Sequence, residues 1–329
     1  MSEDLGPSEP RIINDAQVRQ ILDPHRCREV VRDALVALAR GAAMNPVRTV
    51  IETEHGWFAN MPAAVRGGHP ALGAKLVTAF PANAELGLPT HRAVVVLMDP
   101  QTGALSALVD GDAITERRTA AVSVLAAECL ATRAPGVLAI LGAGVQGQAH
   151  LAAFADAQFV SRVVVWSRNP ERARSLADTA RGLGLEAECA DTPDAAVRSA
   201  DLVVTATASP EPLFTGASIS AGTFVCAVGA CVPNRRELPT ELVAACDFYA
   251  DDIAAVRCES GDLLIAEREL ARELPVAGTL GELLAGIRVA QRGLRPAVFE
   301  SLGLGIEDVA CAAFVVAALK GHRGFRWPA

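Results

Sequence analysis

The sequence has no C-x-x-C and no paired cysteine spacing; its eight cysteines, at 27, 129, 189, 226, 231, 246, 258 and 311, are scattered. With no recognisable secretory leader, this usage points to a reducing cytoplasm, no disulfide framework and no metal cluster. The chain also lacks a basic excess. Its formal net charge of -8 argues against a general nucleic-acid surface, which needs a basic patch for phosphates. Long apolar runs are missing too. The most apolar stretch, 309–319, lies between Asp308 and Lys320 and is too short to span a bilayer, so a buried helix and no membrane partner are expected. No internal repeat or low-complexity segment is present. What remains is 51% apolar and 21% charged residues over 329 positions, which excludes disorder and allows two domains with separate cores.

Residues 1–10 are polar, with Pro7 and Pro10, and read as a loose arm. Over 24–40, Val30, Val31, Ala34, Leu35 and Leu38 recur at helical spacing, and Gly41 ends the pattern. Strand-like runs follow at 47–52, 56–61, 72–80, 93–98 and 104–109. Asp112 or Thr115 is the expected cap of a helix running through 118–127. Near 131–135 the rhythm changes to strand, helix, strand. Candidate strands at 137–141, 162–166, 185–189, 202–206, 223–228 and 247–250 predict an α/β fold, a Rossmann-type doubly wound parallel sheet. A last helix, 306–320, has no strand to pair with and is expected to return to the first domain. The predicted organisation is therefore 1–130 with 304–329, and 131–303.

The sheet region opens on five apolar residues, 137–141, followed by Gly142-Ala143-Gly144-Val145-Gln146-Gly147 at G-x-G-x-x-G spacing. Gly142 permits a tight turn, Gly144 lets backbone approach a pyrophosphate, and Gly147 lets the next helix pack closely. That helix would point its unpaired N–H groups at the phosphates. The next strand should end on an acid in an NAD enzyme. It ends on Ser167-Arg168-Asn169, with no acid until Glu171. A guanidinium suits a 2′-phosphate, so NADP(H) is the expected cofactor, with NAD(H) possible; the bland alternative is an exposed arginine before Pro170.

Several stretches resemble, in the same order, the ornithine cyclodeaminase/mu-crystallin family of NAD(P)-dependent enzymes. They include Asn60-Met-Pro62, Gly73-Ala-Lys-Leu-Val77, Pro89-Thr-His91, Arg118-Thr-Ala-Ala-Val-Ser123, Val228-Gly-Ala230, Arg236-Glu-Leu238, Glu259-Ser-Gly-Asp262 and Ser301-Leu-Gly303. The mu-crystallin and ketimine-reductase branch is the most similar to it. The resemblance implies that 1–130 with 304–329 form an α+β substrate-binding and dimerisation domain, that 131–303 bind the dinucleotide, and that the chain forms a homodimer.

The same resemblance assigns residues. Lys75 corresponds to a lysine placed at the substrate, where it donates a proton to, or stabilises, the substrate nitrogen; by itself it reads as a lysine on a strand's solvent face. Arg48 is implied to grip the substrate carboxylate. Arg118, otherwise a surface helix arginine, is implied to reach both that carboxylate and the cofactor phosphates. Thr90, His91 and Thr119 are implied cofactor contacts, as are Val228 and Ser301 beside the nicotinamide. Thr205 and Thr207 end a strand, where ligands of open α/β sheets bind. Glu259 and Cys231 are implied pocket residues. Cys231 is a departure, because the cyclodeaminases carry an aspartate there. An ordinary thiol is mostly neutral at pH 7 and cannot replace a carboxylate base.

The expectation is an NADPH-dependent reductase of a small cyclic or N-substituted α-imino acid. Three alternatives stand beside it: alanine dehydrogenase-like reductive amination, NAD-dependent ornithine or lysine cyclodeamination, and a non-catalytic protein holding NADPH and a small carboxylated ligand.

Overall fold

The computed structural model describes residues 9–67, 69–132, 134, 136–292 and 295–319. The expected arm therefore lies almost wholly outside the described residues, as does Lys320. The chain forms two compact units, one drawing on the chain up to Arg118 and from Leu304 onwards, the other spanning Thr119–Gly303.

The first unit begins with β1 (Arg11–Ile13), α1 (Asp15–Ile21) and α2 (Pro24–Ala39). Asp23 caps α2 by accepting from Arg26 N, and Pro24 occupies the first turn, where its missing N–H costs nothing. The apolar stripe read from the sequence is the face that α2 buries, with Val31, Ala34 and Leu35 fully inside. β2 (Ala43–Met44), β3 (Thr49–Glu52), β4 (Trp57–Val65), β5 (Ala71–Ala79), β6 (His91–Met98) and β7 (Leu105–Asp110) complete a sheet in the order β1-β7-β6-β5-β4-β2, with β3 also on β4. β4 through β7 pair antiparallel, whereas β1 joins β7 in parallel. β4 runs past its expected end at Met61 and through Pro62. It can do so because Pro62 falls between the stretches paired with β3 and β2 and has a strand neighbour only in β5.

α3 (Gly111–Leu130) starts earlier than either expected cap. Asp110 accepts from Ala113 N at 3.1 Å, whereas Asp112 accepts from Ala93 N at 2.6 Å. The Asp112 carboxylate is committed to strand β6, and the cap falls to its neighbour.

The second unit carries β8 (Gly136–Leu141), α4 (Val145–Asp156), β9 (Val160–Trp166), α5 (Pro170–Gly182), β10 (Glu186–Cys189), α6 (Pro193–Val197), β11 (Leu202–Thr205) and β12 (Phe224–Ala227). Then come α7 (Thr240–Ala245), β13 (Asp247–Ala250), α8 (Ile253–Glu259), α9 (Gly261–Leu270), β14 (Gly278–Thr279), α10 (Leu280–Leu284) and β15 (Ala297–Glu300). All strand pairs are parallel, in the order β10-β9-β8-β11-β12-β15-β13-β14. The six expected strands are present, and the fold is the expected Rossmann-type α/β sheet. β14 and β15 are additions. β15 lies between β12 and β13 and is buried along its whole length. Four residues ending on an acid are too short to stand out by periodicity. The core of this unit gathers Leu141, Val164, Val203, Val225, Phe248 and Val298, each contributing roughly 1.5–3 kcal/mol on burial.

After β15 the chain forms α11 (Gly305–Leu319), which belongs to the first unit. Its helical form agrees with the sequence pattern.

Candidate functional site

In the first unit the burial of β5 alternates, and Lys75 shares the inward phase with Ala71, Gly73, Val77 and Ala79. The solvent-face reading of Lys75 is therefore wrong: the residue is 2% exposed. Its ammonium lies 2.8 Å from Asp308 Oδ2 and 3.4 Å from Thr115 Oγ1. Burial lowers its pKa from 10.5 to about 8; Asp308 opposes that shift, and Arg118 and Arg48 add to it. A lysine so placed can both hold and release a proton near neutrality.

Arg118 is likewise buried, which excludes the surface-helix reading. Nη1 donates to Glu307 Oε2 at 3.0 Å and Nε to Asp308 Oδ1 at 3.3 Å. Two cations and two carboxylates thus form a buried group balanced in charge. Such groups cost desolvation and stabilise a fold weakly. Arg48, just before β3, is half-buried and close enough to bear on Lys75. Thr90 Oγ1 lies 3.1 Å from His91 Nδ1. The His91 ring meets Trp57 edge-on at 6.2 Å, and desolvation of the ring holds its pKa below the ordinary value.

In the second unit, β8 runs into the glycine turn and α4. Gly142 has φ +114°, and a Cβ there would meet the Ala206 carbonyl. A Cβ on Gly147 would strike the Gly142 carbonyl, while nothing lies within 4 Å of one on Gly144. Thus two glycines permit tight packing and the middle one faces open space. Gly144 is the N-cap of α4 and supplies no side chain to its first N–H groups. An open backbone cradle at a helix N-terminus fits a dinucleotide pyrophosphate. Val145 is exposed. The Gln146 carbonyl accepts from His150 Nδ1 at 2.7 Å. A carbonyl only accepts, so the proton sits on Nδ1, and Nε2 accepts from Ser123 Oγ at 2.8 Å. Burial pushes His150 down to about 4. Thr119, one turn before Ser123, is buried.

At the end of β9, Ser167 is half-buried and Arg168 is exposed. Asn169 uses its side-chain oxygen to cap α5, accepting from Glu171 N at 2.9 Å and Arg172 N at 3.2 Å. Thr205 ends β11, fully buried. Thr207 donates from both N and Oγ1 to Glu237 Oε1, each at 2.6 Å. Gly229 N, beside Val228, donates to Glu237 Oε2 at 2.9 Å. Asp262 Oδ1 accepts from Glu237 N and Leu238 N. Asp251 Oδ2 accepts from Leu302 N and Gly303 N, each at 2.7 Å, which fixes the segment carrying Ser301. The Cys231 thiol donates to the Val228 carbonyl at 3.3 Å, and Glu259, the last residue of α8, is buried.

Sequence reasoning assigned no role to Glu237, Asp251, Asp262, Glu307 or Asp308. The available signals were acids inside the quoted stretches at 236–238 and 259–262, an acid just past a strand, and two acids opening an apolar helix. The buried carboxylates bolt strand-end loops together. Burial raises Glu237; burial and then Glu237 raise Asp262 to about 8; and burial and then Asp262 raise Glu300 well above its usual range. No His/Cys/Asp/Glu group suited to a metal ion occurs among the described residues, and no described helix is long and apolar enough to cross a membrane.

The parallel sheet opening on a glycine turn defines a Rossmann-type α/β protein, joined in one chain to a unit holding a buried titratable lysine. The family model for the ornithine cyclodeaminase/mu-crystallin family matches residues 9–322, and the chain belongs to that family. It is 36% identical over 276 residues to the ketimine reductase mu-crystallin of Mus musculus, covering 84% of this chain and 85% of the relative. It is 31% identical over 320 residues to the iminosuccinate reductase of Paracoccus denitrificans, covering 95% and 97%. Among solved structures, the Thermococcus litoralis Δ1-pyrroline-2-carboxylate reductase in complex with NADH and L-proline is similar at a TM-score of 0.90, with 31% identity over 94% of this chain and 98% of that one. With relatives of this kind along nearly its whole length, the chain is an oxidoreductase.

Proposed function

We propose that this oxidoreductase uses NADPH to reduce the C=N bond of a small cyclic or N-substituted α-imino acid. The carrying observation is Lys75, a buried lysine whose pKa of about 8 suits it to give a proton to a substrate nitrogen. When bound, the reduced nicotinamide supplies hydride, with its electron pair, to the imine carbon. Lys75 gives its proton to the nitrogen as the π pair arrives there, so one imine, one NADPH and one proton yield one amine and NADP+. Arg48 holds the carboxylate, with Arg118 behind it. Residues 1–130 with 304–329 take the substrate and form the dimer; residues 131–303 hold the cofactor.

The cradle at Gly142–Gly147 receives the pyrophosphate, and Arg168 receives the 2′-phosphate. Ser167 and Asn169 flank that arginine, and Val145 and Gln146 open the helix. Thr90, His91, Thr119, Thr205, Thr207, Val228 and Ser301 complete the cofactor contacts, with Glu259 and Cys231 beside the substrate. Cys231 supports reduction over cyclodeamination, because its thiol is turned to a carbonyl and is no carboxylate base.

The test is oxidation of NADPH and NADH with five- and six-membered cyclic imino acids, with pyruvate plus ammonia or methylamine, and NAD reduction with ornithine alongside. Imino-acid turnover preferring NADPH is expected. Ammonia release from ornithine, or tight binding with no turnover of any substrate, overturns the reading.

A further inference from the structure

Of 30 lysine and arginine residues, lysine occurs only at 75 and 320. Lys75 is thus the one lysine among the described residues, in a chain that otherwise uses arginine for positive charge. Arginine keeps its proton at any working pH, whereas a buried lysine can release it. The cation at this position is therefore of the titratable kind, and what faces it decides when it titrates.

The facing groups come from four elements. Asp308 is on α11, Arg118 on α3, Arg48 just before β3, and His91 on β6. Glu307 acts at one remove, through Arg118. Asp308 is the one of these that favours the charged lysine by direct contact; burial, Arg118 and Arg48 all oppose it. Without Asp308, the surroundings of Lys75 would strip its proton.

The fold also fixes where that carboxylate stands. Met61 on β4 is the cross-strand partner of Lys75. α11 begins on Met61, since a Cβ on Gly305 would lie 2.6 Å from the Met61 carbonyl oxygen. Asn45 Oδ1 accepts from Ile306 N at 2.9 Å and holds that helix end. Asp308 follows Gly305 by three residues, about one helical turn, and so lies over Lys75. Its oxygens are divided: Oδ1 faces Arg118 Nε at 3.3 Å, and Oδ2 faces Lys75 Nζ at 2.8 Å.

We propose that Asp308 is the positioning residue for Lys75: its carboxylate, held by Arg118, fixes the ammonium in place and keeps it protonated for delivery to the substrate nitrogen. The proposal rests on the catalytic reading of Lys75 given above. A merely structural ion pair would shift the lysine's own midpoint when broken but would leave the alkaline limb of turnover where it was.

Lysine labelled with 13C at Cε should give two signals, with Lys320 as an internal control and Lys75→Met identifying the other. In the unmutated protein the Lys75 signal should titrate near pH 8. In Asp308→Asn its midpoint should fall by roughly 1–3 pH units, and the alkaline limb of imine reduction should fall with it. The KM for the cofactor should stay unchanged, and Asp308→Glu should restore the midpoint. Should Asp308→Asn not fold, Arg118→Gln compared with Arg118→Gln/Asp308→Asn repeats the comparison by NMR with the buried charges again in balance. An unmoved Lys75 midpoint overturns the proposal while leaving the catalytic reading intact. Undiminished turnover in Lys75→Met overturns the catalytic reading itself, whatever the NMR midpoint does.

Discussion

At the scale of single residues, the proposed chemistry concentrates on Lys75, Arg168 and Cys231. Lys75→Met should bind NADPH normally and lose turnover by orders of magnitude, read as kcat against KM. The unmutated rate should fall as pH rises through about 8, because the protonated lysine is the acid. Arg168 is exposed at the end of β9, with no acid before Glu171. Arg168→Asp should weaken NADPH roughly 10- to 100-fold, as for a lost charge-assisted pair, and should improve NADH; equal kinetics with both cofactors in the unmutated enzyme would contradict this. Cys231 donates to the Val228 carbonyl, a bond that a serine hydroxyl can also make. Cys231→Ser should keep most reductase activity, and near-complete loss, with NADPH protecting the thiol from alkylation, would show an essential thiol.

Two elements depend on glycines that admit close approach. Gly147 lets α4 pack against the turn after β8, where a Cβ would meet the Gly142 carbonyl. Gly147→Ala should displace the start of α4, cost on the order of 1–3 kcal/mol, and raise the KM for the cofactor in steady-state kinetics. Gly305 seats α11 on Met61, and Gly305→Ala should move Asp308 away from Lys75. Lost turnover with cofactor binding retained, by titration of NADPH fluorescence, is the expected outcome. The G-x-G-x-x-G turn was legible because strand, turn and helix are contiguous, and each glycine's role is set by neighbours in sequence. The cap of α3 was not: Asp110 caps because Asp112 is drawn to Ala93 on another strand, a competition no local pattern shows.

For the whole molecule, the buried acids predict how stability depends on pH. Asp262 is raised to about 8, by burial and then by Glu237. The folded chain therefore holds a proton that the unfolded chain releases above its ordinary aspartate value. Stability from this group is complete below about pH 4 and is lost as pH rises towards 8. Glu237 and Glu300 are raised as well and act in the same direction. His150 and His91, being lowered, act oppositely up to about pH 6.5, and Lys75 does so above about pH 8. The thermal midpoint should fall between about pH 6.5 and 8, and Asp262→Asn, which keeps an oxygen for Glu237 N and Leu238 N, should flatten that slope. The proposed homodimer is to be checked by sedimentation; a monomer at micromolar concentration would refute it.

The sequence by itself determined the parallel α/β sheet, its opening turn, the strand-like runs before it and the last helix, because each follows from a local period or a contiguous motif. It also singled out Lys75, though only by family resemblance, since an isolated lysine in an apolar strand reads as solvent-facing. Only the tertiary structure decided that Lys75 is buried, that Asp308 from the far end of the chain lies against it, and that β15 fills the middle of the sheet. Burial and ion pairing depend on which distant segments meet. Four residues of strand, or two acids opening an apolar helix, show their meaning only once the fold has brought their partners to them.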